Sequence, residues 1–119
     1  MTSGQVKAVH VSLLDQPDDS VVVVVRGNLD VDSVPVLTTA LDQVLAVPIP
    51  RVVVDLSGID FCDSTGLSAF VVGHRRAVAR GGWVRLAAPT GLLARLLDRV
   101  GPTRAPAVYG DVAEALVDR

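Results

Sequence analysis

With 119 residues the chain has room for one domain of ordinary size, and with half of it apolar and a fifth charged it can bury a core. The net charge of −2 comes from scattered acids and bases, and the aromatic residues are only Phe61, Phe70, Trp83 and Tyr109, which excludes the clustered cations and stacking rings of a nucleic-acid binder. No apolar run reaches the ~20 residues of a membrane span, Met1–Gln5 is polar and not a leader, and the single Cys62 allows neither an intrachain disulfide nor a thiolate zinc site. A cytoplasmic location without a membrane partner is the expectation.

Two strands are predicted first, over Val6–Leu14 and Val21–Arg26, joined by a turn rich in Asp and Pro (Asp15, Pro17, Asp18, Asp19) that favours antiparallel pairing. The five valines Val21–Val25 suit a strand buried on both faces. A helix follows, with Ser33 as its expected cap and Pro35 in its first turn. Val36, Leu37, Ala40, Leu41, Val44 and Leu45 form its apolar stripe, and Pro48 and Pro50 stop it.

Arg51–Leu56 reads as a central strand, followed by a short loop and a second helix from about Ser64 to Arg80, which Gly81-Gly82 terminates. Helical spacing assigns Leu67, Phe70, Val71, His74 and Val78 to its core face and Ser64, Ser68, Val72 and Arg75 to the opposite face. Trp83–Ala88 is the next strand. Thr90 caps a helix with the stripe Leu92, Leu93, Leu96, Leu97 and Val100, ended by Gly101 and Pro102. Ala107–Tyr109 reads as a short last strand, and Asp111 with Glu114 as the capping box of a final helix. Strands separated by helices imply parallel pairing with right-handed crossovers. The fold class is therefore α/β: one domain over residues 1–119, with a mixed, mostly parallel sheet of four to five strands flanked by about four helices.

Chemistry concentrates in Asp55–Leu67, where a buried strand gives way to a helix. A serine at a helix start, such as Ser64, has two physically sensible roles. It can cap the helix, or it can accept a phosphate that would rest on the positive helix terminus while adding nearly two negative charges to the surface beside Asp63.

Asp63-Ser64-Thr65-Gly66-Leu67, before a helix ending in Gly81-Gly82, resembles the signature of the bacterial anti-sigma factor antagonists of the STAS family. A second matching segment is Gly27-Asn28-Leu29-Asp30-Val31-Asp32-Ser33-Val34-Pro35-Val36-Leu37, and the element order agrees from about Val6 to Leu97. The resemblance implies a protein that binds an anti-sigma serine/threonine kinase when unphosphorylated, frees a sigma factor, and is switched off when the kinase phosphorylates Ser64. Thr65 is the lesser acceptor, and a phosphatase resets the switch. On that reading Asn28, Asp30, Asp63, Ser64, Thr65, Ser68, Val72 and Arg75 form the partner-binding face, the free protein is a monomer, and no cofactor or metal is needed. Where this family commonly has a larger apolar residue, Cys62 stands before the Asp; a small buried thiol is favoured there over a redox input. His74 is favoured as a core ring with a satisfied hydrogen bond over a pH sensor.

Enzymatic readings fall away. His10 and His74 are poorly placed to activate Ser64, no Gly-x-Ser-x-Gly or phosphate-loop pattern occurs, and the carboxylates match no metal loop. The alternative is a stand-alone STAS scaffold, or a module sensing a small ligand or redox state, without kinase control.

Overall fold

The computed structural model describes residues 9–101 and 105–118. The expected strand positions Val6–Ala8, the polar Met1–Gln5 and the helix-stopping Pro102 lie outside them. Five strands and four helices alternate as β1 (His10–Asp15), β2 (Val21–Leu29), α1 (Val34–Val44), β3 (Arg51–Cys62), α2 (Ser64–Val78), β4 (Trp83–Ala87), α3 (Gly91–Val100), β5 (Ala107–Tyr109) and α4 (Val112–Val117). The sheet order is β1-β2-β3-β4-β5, with β1 antiparallel to β2 and every later pair parallel. This is the mixed, mostly parallel sheet that the sequence predicts.

Because the parallel strands lie in chain order, right-handed crossovers place α1, α2 and α3 on one face of the sheet. There Leu37, Leu41, Phe70, Leu93 and Leu97 pack on Val23, Val25, Val52, Val54, Leu56, Val84 and Leu86 in the main core. A smaller cluster on the other face joins Val22, Val53 and Ala87 to Ala115 of α4. The valine runs Val21–Val25 and Val52–Val54 feed both clusters, as strands covered on both sides must. Beneath α4 the buried Arg85 guanidinium lies 3.7 Å from the Trp83 ring centre and donates to the carbonyls of Ala115 (2.8 Å) and Asp118 (2.7 Å), closing the end of that helix.

Two strands outrun their predicted ends. β2 continues to Leu29 and β3 to Cys62, pairing Arg26 with Gly58, Gly27 with Ile59, Asn28 with Phe61 and Leu29 with Cys62 across two irregularities in register. Neither segment is a strong strand on its own; each supplies the other's hydrogen-bond ladder. Gly27, at φ 97°, takes the left-handed backbone needed at one of these irregularities. The ribbon carries the Asn28–Asp30 loop and the start of α2 beyond the end of β4, whose pairing with β3 stops at Asp55.

Candidate functional site

Each of α1, α2 and α3 follows a parallel strand, so all three begin at the carboxyl edge of the sheet. At α2 the cap is Asp63. Its Oδ1 accepts from the backbone N–H groups of Thr65 (2.9 Å) and Gly66 (3.2 Å). Ser64 is the first helical residue, exposed, and its hydroxyl has no partner among the described residues. Asp63 thus takes the capping role and leaves Ser64 outside the helix's own hydrogen bonding. Thr65 is half-buried and lines a cleft between α1 and α2.

The start of α2 is tied to the loop after β2. The Asp63 N–H donates to the Leu29 carbonyl at 3.1 Å. Gly66 sits so close to Leu29 and Cys62 that a Cβ there would come within 2.7 Å of Leu29 Cδ2 and 2.8 Å of Cys62 Sγ. In the loop itself, Asp30 Oδ1 accepts from the N–H groups of Asp32 and Ser33, both at 3.0 Å. Ser33 does not cap α1 as predicted. Its backbone is helical and its Oγ instead donates to the Asn28 carbonyl (2.8 Å) and accepts from the Asp30 N–H (2.9 Å). The hydroxyl is drawn back into the loop because the irregular end of β2 leaves backbone groups there to satisfy. Thr90 likewise occupies the cap position of α3 without a side-chain cap bond.

The structure therefore brings Asn28, Asp30, Asp63, Ser64 and Thr65 together at one edge. Ser68, Val72 and Arg75 continue from Ser64 along the exposed side of α2, with Val72 52% exposed. The opposite side differs from the predicted stripe. The buried residues are Gly66, Phe70, Gly73 and Ala77, whereas Leu67, Val71 and His74 lie at the margin and Val78 is 53% exposed. Gly66 lies against Leu29 and Cys62 and Phe70 and Ala77 enter the core, so this line of α2 packs inward and the bulkier side chains beside it stay at the margin. Val36 of α1 and Leu92 of α3, both expected in apolar stripes, are also exposed.

Two exposed apolar side chains beside the site escaped the sequence reading: Phe61, 47% exposed and paired with Asn28 across the ribbon, and Val31, 66% exposed in the next loop. Strand alternation by itself would have set Phe61 on the face of the buried Ile59; the irregular register between Ile59 and Phe61 turns it outward, so no local signal marks it.

Cys62 is buried, and burial, with the Asp63 charge adding to it, pushes its thiol up to about 11. It is not a thiolate near neutral pH, which argues against a redox input. His74 Nδ1 accepts from the Val84 N–H at 3.2 Å, at the stretch of β4 that β5 does not reach. Burial holds the imidazole below its usual range, so the ring is neutral near pH 7 and serves packing and one backbone bond. No group of three or more His, Cys, Asp or Glu able to hold a metal occurs among the described residues, and no helix among them is long and apolar enough to cross a membrane.

Comparison with known proteins agrees with this architecture. A family model described as "Mlab, STAS domain" matches residues 12–108. No curated protein matches the chain significantly. Among solved structures, an anti-sigma factor antagonist from Mycobacterium paratuberculosis is similar at 26% identity and a TM-score of 0.74, with 92% of each chain covered. An anti-sigma-factor antagonist (STAS) domain protein from Planctomyces limnophilus is similar at 17% identity and a TM-score of 0.76, covering 90% of this chain and 95% of that one. The Bacillus cell fate determinant SpoIIAA in its phosphorylated form is similar at 19% identity and a TM-score of 0.70, covering 90% and 96%. With the family model spanning most of the chain and these structures sharing its overall fold, the chain belongs to the STAS domain family.

Proposed function

We propose that this chain is an anti-sigma factor antagonist. Unphosphorylated, it binds an anti-sigma serine kinase and so frees a sigma factor; phosphorylation of Ser64 ends that binding, and a phosphatase restores it. The observation that carries the reading is the division of labour at the start of α2: Asp63 caps, and the neighbouring Ser64 hydroxyl is exposed and unengaged. A phosphate on that hydroxyl would rest near the positive end of α2, so the fold tolerates it. It would add about −1.5 to −2 charge beside Asp63, so a docked partner does not. Thr65, turned toward the α1–α2 cleft, is the poorer acceptor. Asn28 and Asp30 hold the facing loop, and Ser68, Val72 and Arg75 extend the docking face.

The test is incubation of the purified protein with the anti-sigma kinases of its host and ATP. One added phosphate by mass, absent in Ser64→Ala, together with loss of kinase binding on phosphorylation, is the expected result. Unchanged mass and no binding to any of these kinases would overturn the reading. The family model's description, which names Mlab and not an antagonist, favours a second reading: a STAS interaction module without kinase control, located in the cytoplasm like the first. That reading predicts a stable partner complex that Ser64→Asp leaves intact.

A further inference from the structure

The Ser64 hydroxyl has no hydrogen bond among the described residues, so its position is whatever the backbone of the first turn of α2 gives it. That turn meets the loop after β2 at Leu29, which is fully buried. The Leu29 carbonyl accepts from the Asp63 N–H at 3.1 Å, and the Leu29 side chain fills the space beside Gly66. The carbonyl that holds Asp63 belongs to the same planar peptide unit as the Asp30 N–H. That N–H donates to Ser33 Oγ at 2.9 Å, and the same hydroxyl donates to the Asn28 carbonyl, in the peptide unit before Leu29, at 2.8 Å. One hydroxyl therefore binds both peptide units that flank Leu29. A third neighbour, Asp30 Oδ1 at 3.1 Å, already accepts from the amides of Asp32 and Ser33. The Ser33 side chain makes no cap bond to α1.

We propose that Ser33 is a positioning residue for Ser64: through the Leu29–Asp30 peptide its hydroxyl sets where α2 begins, and hence where the phosphoacceptor oxygen stands. This rests on the kinase reading above and adds to it a residue that acts on the transfer without touching the acceptor. In that transfer the Ser64 oxygen bonds to the γ-phosphorus of the kinase's ATP as the bond to ADP breaks, and the hydroxyl proton passes to a base on the kinase. The step needs the acceptor oxygen in line with the leaving group, and a displacement of about 1 Å can cost on the order of a hundredfold in rate. A Ser33 that only steadies its own loop would change stability and leave the transfer step as it is.

The experiment compares the full wild-type chain with Ser33→Ala and Ser33→Thr, by hydrogen exchange on the chain alone and by steady-state phosphorylation with the kinase that the Ser64 assay identifies. Removing the hydroxyl should speed exchange of the Asp63 amide about fivefold or more relative to the amides of the β3–β4 ladder. Phosphorylation of Ser33→Ala should show kcat lower by about tenfold to a hundredfold, with KM raised by less than kcat falls. Ser33→Thr, which restores a hydroxyl, should recover most of both. If Ser33→Ala fails to fold, Ser33→Cys, close in size and only a weak donor, takes its place. A kcat within about twofold of wild type, a loss confined to KM, or a threonine variant no better than alanine overturns the positioning role while the proposed function stands. Exchange at Asp63 that rises only in step with the ladder amides overturns it as well. A wild type that no anti-sigma kinase of the host phosphorylates overturns both.

Discussion

The first turn of α2 and its middle are built on opposite principles. At the start everything is occupied: Asp63 caps two amides, its own N–H is held by Leu29, and Gly66 is wedged against Leu29 and Cys62 with no space for a methyl group. One turn beyond Ser68 the helix is loose, with a tolerant glycine, an exposed valine and an open cleft against α1. A surface that must offer one hydroxyl in a fixed position needs the first arrangement. The difference also separates two kinds of helical glycine, one demanded by sterics and one that sterics would allow to be replaced.

The sharpest way to break this comparison is Gly66→Ala. Overpacking against the buried Leu29 and Cys62 should cost about 1–3 kcal/mol, more than alanine's helix preference returns, and urea unfolding measures it. A neutral result would mean that the first turn has slack and that the contrast is wrong. Next is His74→Phe, which keeps a ring but leaves the Val84 N–H without its acceptor, at a cost of about 1–2 kcal/mol. In the native protein the folded state holds the imidazole pKa below its unfolded value, so the unfolded chain binds the proton more readily. Stability should therefore be full above the ordinary imidazole range and fall as the pH drops through it, and His74→Phe should flatten that limb in a pH series of melting curves. Asp63→Ala should cost about 1 kcal/mol through loss of the cap. It should also show faster hydrogen exchange at the Thr65 and Gly66 amides. At the small end, Ser64→Ala should change stability by no more than about 0.5 kcal/mol, since the hydroxyl makes no bond. Ser64→Asp should be neutral or gain a few tenths, about 0.3 kcal/mol, from the helix terminus. A large loss in Ser64→Ala would show that the serine is structural after all.

Much of this is legible in the sequence. Periodicity placed the nine elements in order, because valine runs and leucine stripes report burial directly. The paired motifs around Asp30 and Asp63 marked the two strand-to-helix turns that meet at the candidate site, because such turns need residues that cap or bend. Legibility stopped where the answer depended on which neighbour arrived. Val71, His74 and Val78 look like core residues by spacing, but the line through Gly66, Phe70 and Ala77 is the one packed inward, and it leaves them at or beyond the margin. Ser57–Cys62 looks like loop, but Arg26–Leu29 arrives beside it as a ladder. Ser33 looks like a cap, but the backbone of Asn28 and Asp30 claims its hydroxyl first.

The sequence by itself determined the fold class, the element order and the family, since these follow from local periodicity and from short motifs whose residues lie within a few positions of one another. Only the tertiary structure decided that Asp63 and not Ser64 caps α2, that Gly66 is locked while Gly73 stands beside an open cleft, and that Cys62 is sealed under the first turn of α2. Each of these turns on distances between segments far apart in the chain, and close packing makes such distances decisive to within a few tenths of an ångström.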